Sequence, residues 1–469
     1  MLTLNNLLTE HFRCPDSGVE FVCPSEGESR TGYFRFGENV VCYGRTDAPR
    51  VARTAEEPLD DAFAATRFEP GRCRLSFDAA DAVENLRRER YVSNGESRSA
   101  DGGLHGISHG LYYCVRPLLP VSIRKYLQRW ALAPRMKAQF PSWPLDRTAD
   151  RLLESLLAVW IKAQGRQQIP FIWFWPDGYS SAAIVTHDVE TRSGLRFCSS
   201  LMNLDEAYRI PSSFQLVPEG RYVIPASLLD EFRQRGFEIN VHDLNHDGRL
   251  YSEHDEFLRR VKKINAYGRE FRAKGFRSGA LYRNLDWYTA LDFSYDMSVP
   301  NVAHMEPQPG GCCTVMPFFV GHILELPVTT IQDYSLFHIL GEYSIEMWKR
   351  QIQMIQDSHG LSSIICHPDY LQEPRAQKTY TELLAHLGQL RSDKGLWLAL
   401  PSEINDWWQM RHHLELVQEN GCWRIEGPGR ERARIAYAHL TPDGLLLQLP
   451  NNEDLVEERA GTGAHSTVA

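Results

Sequence analysis

Short apolar segments alternate with helical patterns between about residues 169 and 411, and this alternation is the strongest constraint on the fold of the chain. It is typical of β/α units, in which parallel strands are joined by helices that cover the sheet. The strand candidates are residues 182–185, 213–217, 237–241, 276–280, 295–299, 323–328, 363–366 and 396–400. Seven or eight such units predict an α/β fold, a distorted (β/α)7-8 barrel with its site at the carboxyl ends of the strands.

Three of these strand candidates end in residues that can carry chemistry. Asp188 and Glu190 follow the first candidate, His242 and His246 follow the third, and His367 follows the seventh. Two imidazoles and a carboxylate are a common ligand set for zinc when a fourth position is left for water. A second carboxylate beside them is what a hydrolase needs to activate that water. One HxxxH spacing could arise by chance among 17 histidines, but three polar strand ends favour a site.

Charge and composition exclude several classes of protein. The formal net charge of -9 argues against a general nucleic-acid binder, which would show a basic surface. The first residues lack a basic segment followed by an apolar one, and no run of about 18 apolar residues occurs, so we expect neither a secretory signal nor a spanning helix. The ten cysteines include no CxxC pair, which favours reduced thiols. We therefore expect a cytoplasmic protein.

The chain divides into five segments. They are an N-terminal β-containing extension with a final loop (1–110), a helical connector packed on the barrel (111–168), the barrel (169–411), a small β appendage (412–450) and a disordered tail (451–469). Within the extension, aromatic and β-branched runs on both sides of Gly37 predict a hairpin. Within the appendage, apolar runs that begin at Cys422, Ala433 and Leu445 predict three antiparallel strands of one sheet.

The connector begins with a segment, residues 111–132, that is rich in aromatic, leucine and arginine residues. Such a segment could form a helix that lies on the surface of an anionic membrane. The alternative, which we favour, is a short helix that packs on the main domain with a solvated basic edge. Peripheral contact with the inner face of a membrane therefore stays open, and the sequence indicates no oligomeric state.

The order of the polar strand ends resembles the polysaccharide deacetylase superfamily (the NodB-homology domain) over roughly residues 170–410. Residues 186–190, Thr-His-Asp-Val-Glu, resemble the first motif of the family, Thr-Phe-Asp-Asp-Gly. Residues 242–246, His-Asp-Leu-Asn-His, resemble the second motif, His-Ser/Thr-x-x-His. Arg277 resembles the arginine of the third motif, and residues 365–367, Ile-Cys-His, resemble the fifth. The resemblance implies a barrel and a divalent metal, expected to be Zn2+.

The first motif departs from the family, because Val189 stands where the metal-binding second aspartate is usual. Divergent members with an Asp-x-Asp form place the base first and the metal ligand two residues later. By that pattern the resemblance implies Asp188 as the base and Glu190 as a metal ligand beside His242 and His246. The reverse assignment of the two carboxylates stays open.

The resemblance also implies roles for two further residues. Arg277 would hold Asp188 ionised, because a nearby cation lowers the pKa of a carboxylate. His367 would protonate the leaving amine nitrogen. Two alternatives stay open, namely a surface salt bridge for Arg277 and a capping role for His367 before Pro368.

The fourth motif of the family, usually an Asp-Trp pair, is not evident in this sequence. Asp296 and Trp287 are the candidates for parts of its role. Glu325, Asp333 and Tyr370 lie at or beyond other strand ends and are candidates for lining a sugar pocket.

The resemblance implies a metal-dependent hydrolase of a non-peptide C–N bond. The expected reaction is N-deacetylation of an amino sugar in a polysaccharide or glycan precursor, which makes a carbohydrate the expected partner. Two alternatives stay open: a hydrolase of a cyclic amide or ureide on the same fold, and a catalytically silent carbohydrate-binding relative. The complete set of ligand, base and acid candidates disfavours the silent relative, whereas nothing in the sequence separates the two hydrolases.

Overall fold

The computed structural model describes residues 4–92, apart from 17, 25, 26, 28 and 70, and residues 138–450, apart from 393, 394 and 443. Three predictions lie outside the described residues: the loop before residue 110, the helix at 111–132 with its membrane contact, and the disordered tail at 451–469. Within the described ranges, no helix combines the length and the apolar character that crossing a bilayer requires.

The N-terminal extension is a small β-containing unit with its own helices. Its elements are α1 (Leu4–Phe12), β1 (Glu20–Val22), β2 (Arg30–Arg35), β3 (Val41–Thr46), β4 (Arg67–Glu69), β5 (Arg72–Arg74) and α2 (Ala79–Arg87), and α3 (Thr148–Ala163) comes next among the described residues. Strands β2 and β3 pair antiparallel, which confirms the hairpin predicted around Gly37. Helix α3 buries an apolar stripe that includes Leu152, Leu156 and Trp160, as its 3.6-residue spacing predicts.

The barrel follows the predicted β/α order. Its elements and the strand before it are β6 (Gln168–Ile172), β7 (Ser181–Val189), α4 (Arg192–Ala207), β8 (Ser212–Leu216), α5 (Ala226–Gln234), β9 (Glu238–His242), α6 (His254–Phe271), β10 (Gly275–Arg277), β11 (Tyr295–Asp296), β12 (Phe318–Val320), β13 (Ile323–Glu325), α7 (Glu346–Gln356), β14 (Leu361–Cys366), α8 (Pro374–Ser392), β15 (Leu396–Leu398) and α9 (Pro401–His412). Strands β7 to β15 form one nine-stranded sheet. Each of the predicted strands is present, and only β12 and β13 pair antiparallel.

The sheet forms a distorted barrel, because the segment after β13 meets β14 through side chains instead of a backbone ladder. The spatial order is β12-β13-β11-β10-β9-β8-β7-β14, and β15 pairs with the start of β7. Beyond β13, the hydroxyl of Thr329 donates to the carbonyl of Leu361 at 2.7 Å, and that of Thr330 donates to the carbonyl of Ser363 at 2.8 Å. Side-chain hydrogen bonds therefore close the seam between β13 and β14.

The two faces of β7 lie in two different hydrophobic cores. Ala183 and Val185 belong to the core that the surrounding helices build. Ala182 and Ile184, which alternate with them, belong to the core that contains Trp160 of α3 and much of the extension. We call the face opposite the helices the inner face. The described parts of the extension and of the connector thus share one continuous core with the inner face of the barrel.

The C-terminal strands differ from the prediction in one member. Strands β16 (Glu415–Glu419) and β17 (Cys422–Glu426) form a hairpin of their own, turned by Asn420 and Gly421, both with positive φ. Strand β18 (Ile435–Thr441) pairs with β19 (Gly444–Gln448) on one side and with β6 on the other. The three predicted strands form, but their grouping into a single sheet is wrong. The run at Cys422 is β17, which among the described strands pairs only with β16, and the third strand of the sheet that contains β18 and β19 is β6, which precedes the barrel. No local pattern encodes a pairing between segments so far apart in the chain.

A buried ion pair joins the extension to a loop at the carboxyl ends of the barrel strands. Glu89 follows α2, and Arg283 lies in the loop after β10; the two side chains are 7% and 0% exposed. Arg283 donates through Nε to Glu89 Oε2 at 2.6 Å, and the amide of Gly311 donates to the other carboxylate oxygen. Tyr91 adds a hydrogen bond from its hydroxyl to the carbonyl of Gly311 at 2.7 Å. The extension thus helps to hold two loops at the site end of the barrel.

Glu89→Gln should lower the free energy of unfolding by about 3–5 kcal/mol, because it leaves the charge of Arg283 buried without a counter-ion. The matched control is Glu20→Gln, which breaks the ion pair of Glu20 with Arg72, whose side chains are 61% and 53% exposed. That control should leave stability nearly unchanged, because exposed ion pairs contribute little. Urea unfolding of both variants measures the difference, and equal losses would contradict the anchoring role of Glu89.

Candidate active site

Three ligand-type side chains converge at the carboxyl ends of β7 and β9. Ligand atoms of Glu190, His242 and His246 all lie within 4.8 Å of one another. Glu190 Oε1 is 2.9 Å from His246 Nε2 and 4.0 Å from His242 Nε2. Both Nε2 atoms are buried and, among the described residues, neither has a partner in hydrogen-bond geometry. Buried nitrogens left free beside a carboxylate fit a divalent cation as their partner.

The loop that carries the two histidines has an unusual backbone. His242 ends β9, and Asp243 and His246 then adopt positive φ values of 57° and 54°. Non-glycine residues take this conformation rarely, and such strain collects at functional sites. Gly279 lets the loop after β10 approach, because a Cβ there would lie 2.6 Å from Asp243 Oδ2 and 3.1 Å from His246 Cδ2. The turn brings His246 back towards Glu190.

A backbone hydrogen bond orients His242. Its Nδ1 lies 3.1 Å from the carbonyl oxygen of Arg277. Because a carbonyl can only accept, Nδ1 carries the proton and the lone pair of Nε2 is free. Ligating histidines in metal sites are typically oriented in this way.

Asp188 and Arg277 form a buried ion pair beside the ligand cluster. Arg277 Nη1 donates to Asp188 Oδ1 at 2.7 Å and to Thr186 Oγ1 at 2.9 Å, and its Nε donates to the carbonyl of Met297 at 2.9 Å. Arg277 is fully buried, so the alternative of a surface salt bridge is wrong. Burial acts to raise the pKa of Asp188, but Arg277, with His242 and His367, holds it below its ordinary value. Asp188 Oδ2 lies 3.8 Å from His242 Nε2.

His367 lies at the end of β14 and forms a buried pair with Asp333. Its Nδ1 is 2.6 Å from Asp333 Oδ1, and its backbone amide donates to Asp333 Oδ2 at 2.7 Å. Its Nε2 is 3.7 Å from Glu190 Oε1. Burial acts to lower the pKa of His367, but Asp333, with Glu190 and Asp188, raises it to about 10. The suggestion that Asp333 lines a sugar pocket is wrong, because its side chain is fully buried against His367.

The position of Glu190 depends on Asp369, a residue that sequence reasoning missed. Asp369 accepts hydrogen bonds from the backbone amides of Glu190 and Gly194, both at 3.2 Å, and from the hydroxyl of Thr191. Any side chain at Gly194 would collide with the Asp369 carboxylate. Asp369 lies two residues after His367, so it joins the loop of the histidine to the loop of the carboxylate. The position of Asp369 just beyond the end of β14 is the sequence feature that could have identified it.

The pKa of Glu190 reflects the two histidines around it. Burial acts to raise this pKa, but His246, His242 and His367 together hold it well below its usual value. Glu190 is therefore negatively charged at neutral pH. A charged carboxylate between imidazole nitrogens is the electrostatic arrangement that a cation site needs.

His187 lies between Thr186 and Asp188 but faces the opposite side of the sheet. Its Nδ1 is 3.1 Å from the carbonyl oxygen of Cys366, and its Nε2 is 3.0 Å from Asp205 Oδ2. Tyr380 donates to the other oxygen of Asp205 at 2.6 Å. This buried network joins β7 and β14 to helices α4 and α8 behind the site.

The remaining sequence candidates lie outside the ligand cluster. Asp296 and Glu325 are register partners on β11 and β13, and both are fully buried. Burial and the neighbouring Asp296 raise the pKa of Glu325 well above its usual value, so the pair holds a proton rather than lining an open pocket. Trp287 packs on the rings of Tyr251 and Phe257.

No family model matches the sequence, and no curated protein matches it. Solved structures do. A candidate polysaccharide deacetylase from Mycobacterium smegmatis is 18% identical with a TM-score of 0.40, and the match covers 51% of this chain and 93% of that one. The Puue allantoinase is 13% identical with a TM-score of 0.40, covering 50% of this chain and 92% of that one. A candidate polysaccharide deacetylase from Pseudomonas aeruginosa PAO1 is 13% identical with a TM-score of 0.38, covering 49% and 91%.

Two of these three structures carry the name of the family that the strand-end motifs resemble. The likeness spans about half of this chain and concerns the path of the backbone.

Asp333→Asn should lower the pKa of His367 well below 10 in the metal-free protein, because the carboxylate that opposes burial is removed. The folded pKa of about 10 lies above the unfolded value of about 6.5. The pair therefore stabilises the fold fully below pH 6.5, and this contribution is lost as the pH rises through about 10. NMR titration of the imidazole measures the change, with the exposed Asp255→Asn as control. An unchanged titration in Asp333→Asn would refute the pairing.

Proposed function

We propose that this protein is a metal-dependent hydrolase of a non-peptide C–N bond that removes the acetyl group from an amino sugar in a polysaccharide or glycan precursor. The observation that carries the proposal is the convergence of Glu190, His242 and His246, whose ligand atoms lie within 4.8 Å of one another. Asp188 Oδ2 and His367 Nε2 lie 3.8 Å and 3.7 Å from atoms of this cluster. Ligands, a base and an acid are thus close enough to act on one substrate bond.

The cation that we propose for the cluster is zinc. Two imidazole nitrogens and one carboxylate oxygen are a ligand set that catalytic zinc takes, with one position left open. Such a cation, when bound, polarises an amide carbonyl and makes water more acidic. Glu190, His242 and His246 would hold it.

Asp188 is the proposed general base. Arg277 occupies Asp188 Oδ1, so Oδ2, which faces His242, is the oxygen that accepts the proton of the attacking water. Arg277 keeps the carboxylate ionised and orients it, and its own buried position is fixed by Thr186 and Met297. The oxygen of the water forms a bond to the amide carbon as Asp188 takes its proton.

His367 is the proposed general acid. With a pKa of about 10 it is protonated at neutral pH, and Asp333 on Nδ1 leaves Nε2–H directed at the site. Transfer of this proton to the amide nitrogen lets the C–N bond break, which releases a neutral amine and acetate. The aspartate behind the ring stabilises the imidazolium until the proton is donated.

A cytoplasmic location remains part of the proposal. Each described cysteine is a free thiol, and all but Cys23 and Cys422 are buried. Unpaired thiols are typical of proteins kept in a reducing compartment.

Metal analysis combined with product release tests the proposed roles. Glu190→Gln should lose most of the bound zinc, because the cluster loses its charged ligand. Asp188→Asn should keep zinc nearly unchanged and lose turnover by about 10²-fold or more, because the base is removed. Acetate release from N-acetylated sugars and ring opening of cyclic ureides, followed by the carboxylate that it forms, are measured side by side. Zinc loss in Asp188→Asn with retention in Glu190→Gln would reverse the two assignments.

The outcome of the substrate panel separates the candidate functions. Acetate release supports the proposed reaction, and turnover of ureides alone would replace it with the second hydrolase. Sugar binding with full zinc occupancy and no turnover of either class would indicate a silent binding protein.

His367→Ala tests the acid. Hydrolysis of an amide substrate should fall by about 10²–10⁴-fold, because the amine leaving group needs a proton. Hydrolysis of an activated aryl ester should stay close to that of the parent protein, because its leaving group departs without one. The two substrates are compared at equal zinc occupancy. Equal losses on both would show that His367 shapes the site instead of donating the proton.

A further inference from the structure

We propose that the rim of this site binds a negatively charged group of the substrate, a phosphate or a carboxylate, and that Arg221 is the residue that binds it. The inference rests on the proposed function, because it names the class of N-acylated sugar that the hydrolase accepts. It stands on the position of Arg221, on its lack of an acidic partner and on two further arginines of the rim.

Arg221 lies in the loop after β8, exposed beside the ligand cluster. Its Nη2 donates to the carbonyl of His246 and lies 3.3 Å from His246 Nδ1, and its Nε donates to the carbonyl of Asn245 at 3.3 Å. Two carbonyls of the histidine loop therefore hold the guanidinium in place. The width of one imidazole ring separates it from Nε2, the proposed ligand atom of His246.

Arg221 differs in its partners from three other cations near the site. Arg260 pairs with Asp247 at 2.8 Å, Lys263 with Glu219 at 3.2 Å, and Arg277 with Asp188. For Arg221, no carboxylate of the described residues lies within ion-pair distance, and its bonds are to carbonyls, which leave its charge uncompensated. An arginine can bind an anion when its guanidinium is held in a fixed position and its charge is not already neutralised by a carboxylate.

The neighbouring loops each add a similar arginine. Arg192 begins α4 after β7, and Arg249 lies in the loop after β9; both are exposed. Among the residues that the structure describes, neither forms an ion pair. The loops after three adjacent strands, β7, β8 and β9, thus each carry one exposed arginine.

The chemistry of the guanidinium selects the ligand. Its planar fork matches the oxygens of phosphate and carboxylate, which it binds through two parallel hydrogen bonds. Because Arg221 is one ring away from the ligand cluster, the charged group would belong to the same small molecule whose amide reaches the cluster. A phosphorylated or carboxylated N-acetyl amino sugar has this arrangement of groups.

Binding and turnover of matched sugars test the inference. The probes are N-acetylglucosamine 6-phosphate, N-acetylmuramic acid, which carries a carboxylate, and neutral N-acetylglucosamine. Binding is measured by calorimetry on the full-length metal-free protein, so that anions cannot bind the cation, and acetate release is measured on the zinc-loaded protein. The parent protein should bind at least one charged sugar about 10- to 100-fold more tightly than the neutral one. The two charged probes distinguish a phosphate site from a carboxylate site.

Arg221→Gln should abolish that preference, and Arg221→Lys should retain part of it. The matched control is Arg430→Gln, an exposed arginine in the C-terminal appendage, which should keep the preference in full. The ratio of charged to neutral sugar isolates charge recognition from any effect of Arg221 on His246. Equal binding of all three sugars by the parent protein, or a preference that survives Arg221→Gln, would overturn the inference.

The two proposals fail in different ways. A charge preference that depends on Arg221, with no acetate released from any sugar, would leave the anion site in place and overturn the reaction. Acetate released from charged and neutral sugars with equal kcat/KM would support the reaction and overturn the anion site.

Discussion

Arg277 is the residue on which the rest of the site depends, because both its side chain and its backbone carbonyl form hydrogen bonds with residues of the site. Its guanidinium holds Asp188 and Thr186 on β7, and its own carbonyl accepts from the amide of Asp243 at 2.8 Å and faces His242 Nδ1 at 3.1 Å. One buried side chain and its peptide group therefore set the orientation of a carboxylate on one strand and an imidazole on another. Burying this cation is tolerable only because the charge of Asp188 and three hydrogen bonds compensate for the lost solvent.

The alternation of side chains along β7 explains why a functional strand can also be a stable one. Thr186 and Asp188 continue the inner face that Ala182 and Ile184 begin, so that face changes from apolar core to polar site within one strand. His187 faces the other way and bonds with Asp205 behind the sheet. Both sets of polar groups are buried, and each has hydrogen-bond partners on other strands or on helices.

Sequence reasoning reached the residues whose position follows from the strands and missed those whose position follows from loops. Every predicted strand formed, and Glu190, His242 and His246 met, because parallel strands bring their carboxyl ends to one edge. The sequence does not reveal that Asp333 pairs with His367 or that Asp369 holds the backbone of Glu190. Both contacts join loops that are far apart in the chain. Periodicity reports which face a residue occupies, but it contains no information on which loop meets another.

The pairing of β6 with β18 joins a strand that precedes the barrel to one that follows it. Strand β6 has no other neighbour in its sheet, so it remains an unpaired edge until β18 is available. The ribosome synthesises the chain from its N-terminus, so every β/α unit of the barrel emerges before β18 can pair with β6. The last step of folding is therefore the pairing of two strands that are far apart in the sequence. The barrel that carries the site is synthesised before the β6–β18 pairing that joins its two ends can form.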